Sequence, residues 1–374
     1  MIYFDNAATS YPKPPGVVEE VLRVIREKGG NPGRSGHHLS LAASEVVYDT
    51  RRAVATFIGA EEEENIIFTQ NATYALNLVL QARCTNGCHI IISDMEHNAA
   101  RRPVLQLVES GIATLSIFSH HGNILENLDR LLKDGDNILV CSHVSNVNGY
   151  QFPLEDISRW CLENKVYLIV DASQSLGHIP FQISSIPCDA LCAPAHKGLM
   201  GIQGCGILYL KSKVPLRQVI AGGSGADSLS PYMPLYLPDR YEAGTLPTPA
   251  IASLHASLHF IQEIGLQKIE AHIESLSLFL HKYLGELRGV TLFSHPDSQI
   301  IAFRVAGRGS EEIAMCLNEY GICVRGGHHC APLAHMTLGT TDGGLVRLSP
   351  GYFNTISECE IFLDCLDMIL KEHK

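Results

Sequence analysis

The chain has 374 residues, 46% of them hydrophobic and 18% charged, with a formal net charge of −11 at pH 7. A chain of this length buries a large core in about two domains. The acidic balance argues against a nucleic-acid or anionic-membrane partner, because nothing would offset phosphate repulsion. In chain order, apolar residues at helical spacing predict helices over 17–28 and 41–58. A short strand at 65–68 feeds a helix over 74–82, followed by a strand at 89–93, a helix at 101–110 and a strand at 113–118. Strands at 137–141 and 167–171 flank a helix at 154–163. The alternation predicts an α/β fold with a mostly parallel sheet covered by helices on both faces. Beyond about residue 250 come helices at 251–264 and 268–287, strands at 290–293 and 300–305, and a helix at 311–320. Strands at 322–324 and 345–348 follow, and the last helix opens with the capping-box spacing Thr355-Ile-Ser-Glu358. This texture predicts a smaller α+β domain. The opening Met1–Thr9 lacks a signal peptide's basic and apolar regions, and no apolar run approaches a membrane span. Twelve cysteines without an export signal read as thiols in a reducing compartment, which predicts a cytoplasmic protein. The pairs Arg51-Arg52 and Arg101-Arg102 read as solvated helix faces.

In a parallel sheet, ligands sit beyond the carboxyl ends of the strands. The first such end, Phe68-Thr69-Gln70-Asn71-Ala72-Thr73, offers an anion the free N–H groups of a helix start, or is an ordinary N-cap. At the second, His97 faces the crevice or is structural. At the third, Asn146 meets a ligand or caps a turn. At the fourth, Asp171 ends a wholly apolar strand, where a carboxylate demands a cationic partner, either a pyridinium nitrogen or a structural salt bridge. At the fifth, Lys197 stands between the apolar stretch 190–195 and a glycine-rich segment, an odd place for a solvated charge; a buried lysine loses proton affinity and becomes usable for Schiff-base chemistry. Together these strand ends describe a pyridoxal 5′-phosphate (PLP) site. In the second domain, Cys330 follows His328-His329, so its thiolate is favoured near an imidazolium. Zinc is the rival reading, but neighbouring residues on extended chain point to opposite faces, so no metal site is expected.

Taken in order, the motifs Phe4-Asp5-Asn6-Ala7-Ala8-Thr9, Phe68-Thr-x-x-Ala-Thr73, Glu96-His97, His143-Val-Ser-Asn146, Val170-Asp-Ala-Ser-Gln174, His196-Lys197, Glu242-Ala-Gly-Thr245, Arg325-x-Gly-His-His-Cys330 and Arg347-Leu-Ser run nearly end to end. This set resembles the cysteine desulfurases and selenocysteine lyases of the class V aminotransferase fold. The resemblance implies a PLP-dependent transferase fold of type I. Its large domain, 15–250, would hold a seven-stranded sheet; a small domain, 1–14 with 251–374, would carry the cysteine loop. It also implies roles. Lys197 would bind the cofactor and shuttle the Cα proton, His97 would stack on the ring, and Asp171 would keep the ring nitrogen protonated. Gln174 would meet the ring hydroxyl, and Ala72, Thr73 and His196 would hold the phosphate. Thr245 would reach the phosphate of a neighbouring subunit, which implies a homodimer. Arg347 would clamp the substrate carboxylate, Asn146 would orient the substrate, and Cys330 would take sulfur from L-cysteine as a persulfide for a protein or small-thiol acceptor. Selenocysteine is the alternative substrate; a class V lyase or aminotransferase that does not use Cys330 is a more distant one, and a thiol or zinc carrier lies outside the class. Two departures stand out. Pro194-Ala195 replace the family's Ser-Gly, removing a phosphate hydroxyl, and the loop from Cys330 to Arg347 is longer than in the best-known members. The glycine-rich 221–228 lacks the Gly-Lys-Ser/Thr ending of a phosphate loop and reads as a mobile loop of the active site. The cysteines outside the site, including Cys84, Cys88, Cys188, Cys192 and Cys205, read as small apolar core residues.

Overall fold

The computed structural model describes residues 1–33, 35–211, 216–226 and 229–371. Of the expected loop at 221–228, Asp227 and Ser228 lie outside the described residues. In chain order the elements are β1 (Ile2–Tyr3), α1 (Pro15–Glu27), α2 (His38–Ile58), β2 (Ile66–Thr69), α3 (Ala72–Arg83), β3 (Cys88–Ser93), α4 (Asn98–Glu109), β4 (Ala113–Phe118), α5 (Ile124–Asp129), β5 (Asn137–Ser142), α6 (Leu154–Asn164), β6 (Tyr167–Asp171), β7 (Ala190–Pro194) and β8 (Gly206–Leu210). Then come α7 (Thr248–Ile264), α8 (Leu266–Glu286), β9 (Val290–Leu292), β10 (Ile301–Val305), α9 (Ser310–Glu319), β11 (Ile322–Cys323), α10 (Pro332–Thr337), β12 (Val346–Leu348) and α11 (Ile356–Lys371).

The main sheet has seven strands in the order β2-β8-β7-β6-β5-β3-β4, and β8 alone runs against its neighbours. Its central strands are buried on both faces, which explains their near-continuous apolar sequence. Successive side chains alternate between two cores. Ile91, Leu139, Leu168, Val170 and Leu191 pack on the side of α2, α6 and α7. Ile90, Ile92, Ile138, Val140 and Ile169 pack on the side of α3 and α4. A third core joins Phe4 to Leu276, Leu280, Phe303, Ile313 and Phe362, under the small antiparallel sheet β12-β10-β9. The first residues of the chain belong to this smaller body, since β1 pairs in parallel with β11.

Most predicted elements stand within a few residues of their expected ends, and the capping box of α11 forms as read: Thr355 N–H donates to Glu358 Oε2 at 3.0 Å and Glu358 N–H to Thr355 Oγ1 at 3.3 Å. Strand β8 was hidden in the glycine-rich run after Lys197. Gly206 opens it because a Cβ there would lie 2.5 Å from the Asn71 carbonyl carbon. Arg51 is a correction: it is 6% exposed, not solvated. Its guanidinium forms a two-pronged pair with Glu242 at 2.8 and 2.9 Å and lies 4.8 Å from the centre of the Phe68 ring. Glu242 in turn accepts the Phe68 N–H, so the pair ties the chain before α7 to β2. The cysteines expected to pack as core residues, Cys84, Cys88, Cys188, Cys192 and Cys205, are all buried. Among the described residues, no helix is long and apolar enough to cross a membrane.

Candidate active site

Strands β2, β5, β6 and β7 deliver their carboxyl ends to one pocket, whose walls include Ala72, Thr73, His97, Asn146, Asp171, Gln174, His196 and Lys197. Eight of the expected residues therefore converge. Lys197 follows β7 on a tight turn held by close backbone packing. A Cβ on Gly198 would sit 2.4 Å from the Leu176 carbonyl oxygen, so that position has room only for glycine. The carbonyl of His196, one residue before the lysine, accepts from Ser10 N–H and Thr9 Oγ1 at 3.0 Å each and from Lys13 Nζ at 3.1 Å. The N-terminal segment thus grips the lysine turn directly.

Burial lowers the Lys197 ammonium to a pKa of about 8, against the opposing pull of Asp171. Roughly a tenth of such amines are free at neutral pH, compared with a vanishing fraction of ordinary lysines. Asp171 is 5% exposed and its Oδ1 accepts the Ser173 N–H at 2.9 Å. His97 caps α4, with Nδ1 accepting the Ala99 N–H at 3.0 Å. Burial, reinforced by Lys197, lowers its pKa to about 4. The ring is therefore neutral at physiological pH and carries its proton on Nε2, suited to stacking rather than to holding an anion. His196 is likewise pushed to about 4 by burial.

Cys330 is exposed and lies outside the pocket wall, on a loop pinned over it. Its carbonyl accepts the Asn98 N–H at 2.8 Å, and the His329 carbonyl accepts Asn146 Nδ2 at 2.7 Å. His329 and Cys330 both adopt left-handed backbone, at φ 50° and 56°. Two consecutive non-glycine residues there store strain that the surrounding contacts must hold. His329 is buried with Nε2 at 3.1 Å from the Leu345 carbonyl, and burial drives its pKa to about 2, so it brings no positive charge to the thiol. The aid an imidazolium would give the Cys330 thiolate does not come from His329, whose ring is neutral. Arg347, 2% exposed, donates from Nη1 to the Asn146 carbonyl at 3.0 Å and from Nη2 to Asp5 Oδ1 at 2.8 Å. Thr245 is exposed and does not line this pocket.

Residues 2–362 match the family model described as aminotransferase class-V. The chain belongs to the class-V aminotransferase family. A probable cysteine desulfurase of Methanothermobacter thermautotrophicus is 30% identical over 98% of this chain and 94% of its own length. The structure of a cysteine desulfurase from Thermococcus onnurineus, 31% identical, superposes with a TM-score of 0.92 over 99% of this chain and 95% of that one. A cysteine desulfurase structure from Escherichia coli, 26% identical, gives 0.90 over 99% and 94%.

The donor set of this member of the class-V aminotransferase family fits PLP, the cofactor the family implies. Asn146 Oδ1, Gln174 Oε1 and His196 Nδ1 are buried without a partner, and all three residues face the same pocket. Buried polar atoms are rarely left unpaired in proteins, so their convergence signals a polar ligand. The Asn71 side chain caps the Tyr74 N–H, and the start of α3 presents the N–H groups of Ala72 and Thr73 to an anion. Pro194 also lines the pocket. A larger cleft of about 630 Å³, lined in part by α8, shares Val144 and Gln174 with this pocket but lacks the lysine. Sequence reasoning gave no role to Asp5, Ser142 or Glu96. Glu96 carried a readable signal: it is a carboxylate in the turn just past the apolar strand β3.

Proposed function

We propose that the chain is a PLP-dependent cysteine desulfurase. The observation that carries the reading is the pairing of a half-buried lysine of lowered proton affinity, facing Asp171 and His97, with an exposed cysteine pinned over the same pocket. PLP supplies an electron sink for the pair released at the substrate's Cα. Lys197 would hold the cofactor and move the Cα proton. Asp171 would keep a proton on the ring nitrogen, His97 would stack on the ring, and Gln174 would meet the ring hydroxyl. Ala72, Thr73 and His196 would hold the phosphate. Arg347, fixed by Asp5, grips the substrate carboxylate in a two-pronged contact, and Asn146 orients the substrate. The Cys330 thiolate attacks the substrate sulfur; the S–S bond forms as the C–S bond breaks, the carbon fragment gains protons at Cβ and Cα, and alanine leaves. The persulfide then passes to a protein or small-thiol acceptor, and the twelve free cysteines suit a reducing, cytoplasmic setting.

The test is to purify the protein with PLP, record its visible absorbance, add L-cysteine and assay sulfide and alanine. A visible band with both products supports the reading. A band without either product redirects the substrate question to selenocysteine and other amino acids, and no band removes the cofactor assignment. The reading includes a homodimer with shared sites. Its support is the exposed Thr245 together with the apolar side chains of Tyr232, Leu235 and Tyr236, which are 81%, 70% and 58% exposed. Light scattering should give twice the 40.9 kDa chain mass; a monomer mass would remove Thr245 from the site.

A further inference from the structure

Residues 328–344 leave and rejoin the smaller body as a loop whose two feet are paired. Gly327 and Leu345 exchange N–H···O bonds at 3.1 Å each, and Arg325 and Arg347 form the next bridge. Cys330 stands near the first foot. The segment 340–344, within the stretch that the sequence sets apart as long, stands at the second and turns back onto the residues flanking the cysteine. His328 Nε2 donates to the Thr341 carbonyl at 2.8 Å. His335 Nδ1 lies 2.7 Å from Thr340 Oγ1, and the Thr340 N–H donates to the His335 carbonyl at 2.8 Å. His335 and Thr340 are both fully buried. The His335 ring meets both histidines that precede the cysteine, with centres 5.1 Å from the His328 ring and 5.9 Å from the His329 ring. Burial lowers its pKa to about 4, against the pull of the Thr340 and His328 backbones, so the ring is an uncharged support.

The turn it meets needs support. His329 and Cys330 hold left-handed backbone, and two such residues in a row persist only where their surroundings fix them. From the pocket, Asn98 N–H and Asn146 Nδ2 hold the carbonyls of Cys330 and His329. The returning segment supplies the Leu345 carbonyl that His329 Nε2 meets, and Thr340 fixes the His335 ring against His329.

We propose that His335 and Thr340 are positioning residues for the nucleophile: their buried pair braces the left-handed turn and so sets where the Cys330 thiol meets the substrate sulfur. The inference rests on the desulfurase reading above and gives the long loop after Cys330 a task.

The test compares two reactions of one thiol in the PLP-loaded enzyme: persulfide formation from L-cysteine, mapped to Cys330 by mass, and alkylation by iodoacetamide. Alkylation asks only that the thiol be exposed, whereas persulfide formation asks that it stand at one place over the pocket. His335→Phe keeps a ring and loses both nitrogens. Its persulfide rate should fall by about tenfold or more, since a misplacement of about 1 Å can cost a hundredfold. Its alkylation rate and visible cofactor band should match those of the parent. His335→Asn sets an amide where Nδ1 stood and should restore most of the persulfide rate. An unchanged persulfide rate in H335F, an equal fall in both reactions, or equal persulfide loss in H335F and H335N overturns the proposal. If H335F does not fold, Thr340→Val serves instead. It removes the hydroxyl at nearly constant shape and should show the same selective loss; an unchanged persulfide rate overturns the proposal. A parent enzyme that forms no persulfide on Cys330 would overturn the desulfurase reading itself, a result distinct from any of these.

Discussion

Replacing Lys197 with alanine should abolish covalent attachment of the cofactor and lower turnover by at least about a thousandfold, or roughly 4 kcal/mol of transition-state stabilisation. The expectation comes from placement. The amine is the group in the pocket that burial makes available as a free base near neutral pH. On the proposed reading the same side chain moves the substrate's Cα proton, so both roles disappear together. Borohydride reduction followed by peptide mass analysis reads the attachment: the parent should carry the cofactor mass on the peptide containing Lys197, and the variant should carry none. Retained turnover, or a mass increment on another lysine, would sink the assignment. The backbone turn should survive, because Gly198 and the His196 carbonyl anchor it without the side chain.

Cys330→Ser should leave cofactor attachment intact and lower L-cysteine turnover by about a hundredfold or more. A hydroxyl is a poor nucleophile toward sulfur and cannot hold a persulfide. The substitution is nearly isosteric on an exposed loop, and the Cys330 carbonyl keeps its Asn98 N–H contact, so a folding defect is not expected. Persulfide labelling of the parent after cysteine treatment, mapped by mass, should fall on Cys330. Label on one of the buried thiols would move the nucleophile elsewhere. Selenocysteine separates the substrate readings: selenium leaves more readily than sulfur, so a variant that loses cysteine turnover and keeps selenocysteine turnover marks a lyase.

The main sheet was legible because its strands are buried on both faces and their apolar runs stand out in one dimension. Asp171 and Lys197 were legible for the same reason, since a charge at the end of such a run has no ordinary solvated explanation. What escaped depends on partners far along the chain. Arg51 looked like a surface charge because Glu242, which neutralises it, is 191 residues away. Asp5 gained its part only from Arg347, 342 residues away. Strand β8 was masked by the glycine that its approach to Asn71 requires. The neutral state of His329 follows from burial under Leu345, which spacing alone does not report.

The first thirteen residues place their hydrogen bonds late in the chain: Ser10, Thr9 and Lys13 on His196, Ile2 on Gly321, Phe4 on Cys323, and Asn6 on Ser349. During synthesis they leave the ribosome well before those partners. The lysine turn gains its grip only after residue 196 has emerged, and the opening strand has no neighbour until residues beyond 321 follow. N-terminal portions of a chain generally fold as they appear. Here the opening segment closes in two stages, gripping the lysine turn once residue 196 is out and finding its strand partner only after residue 323.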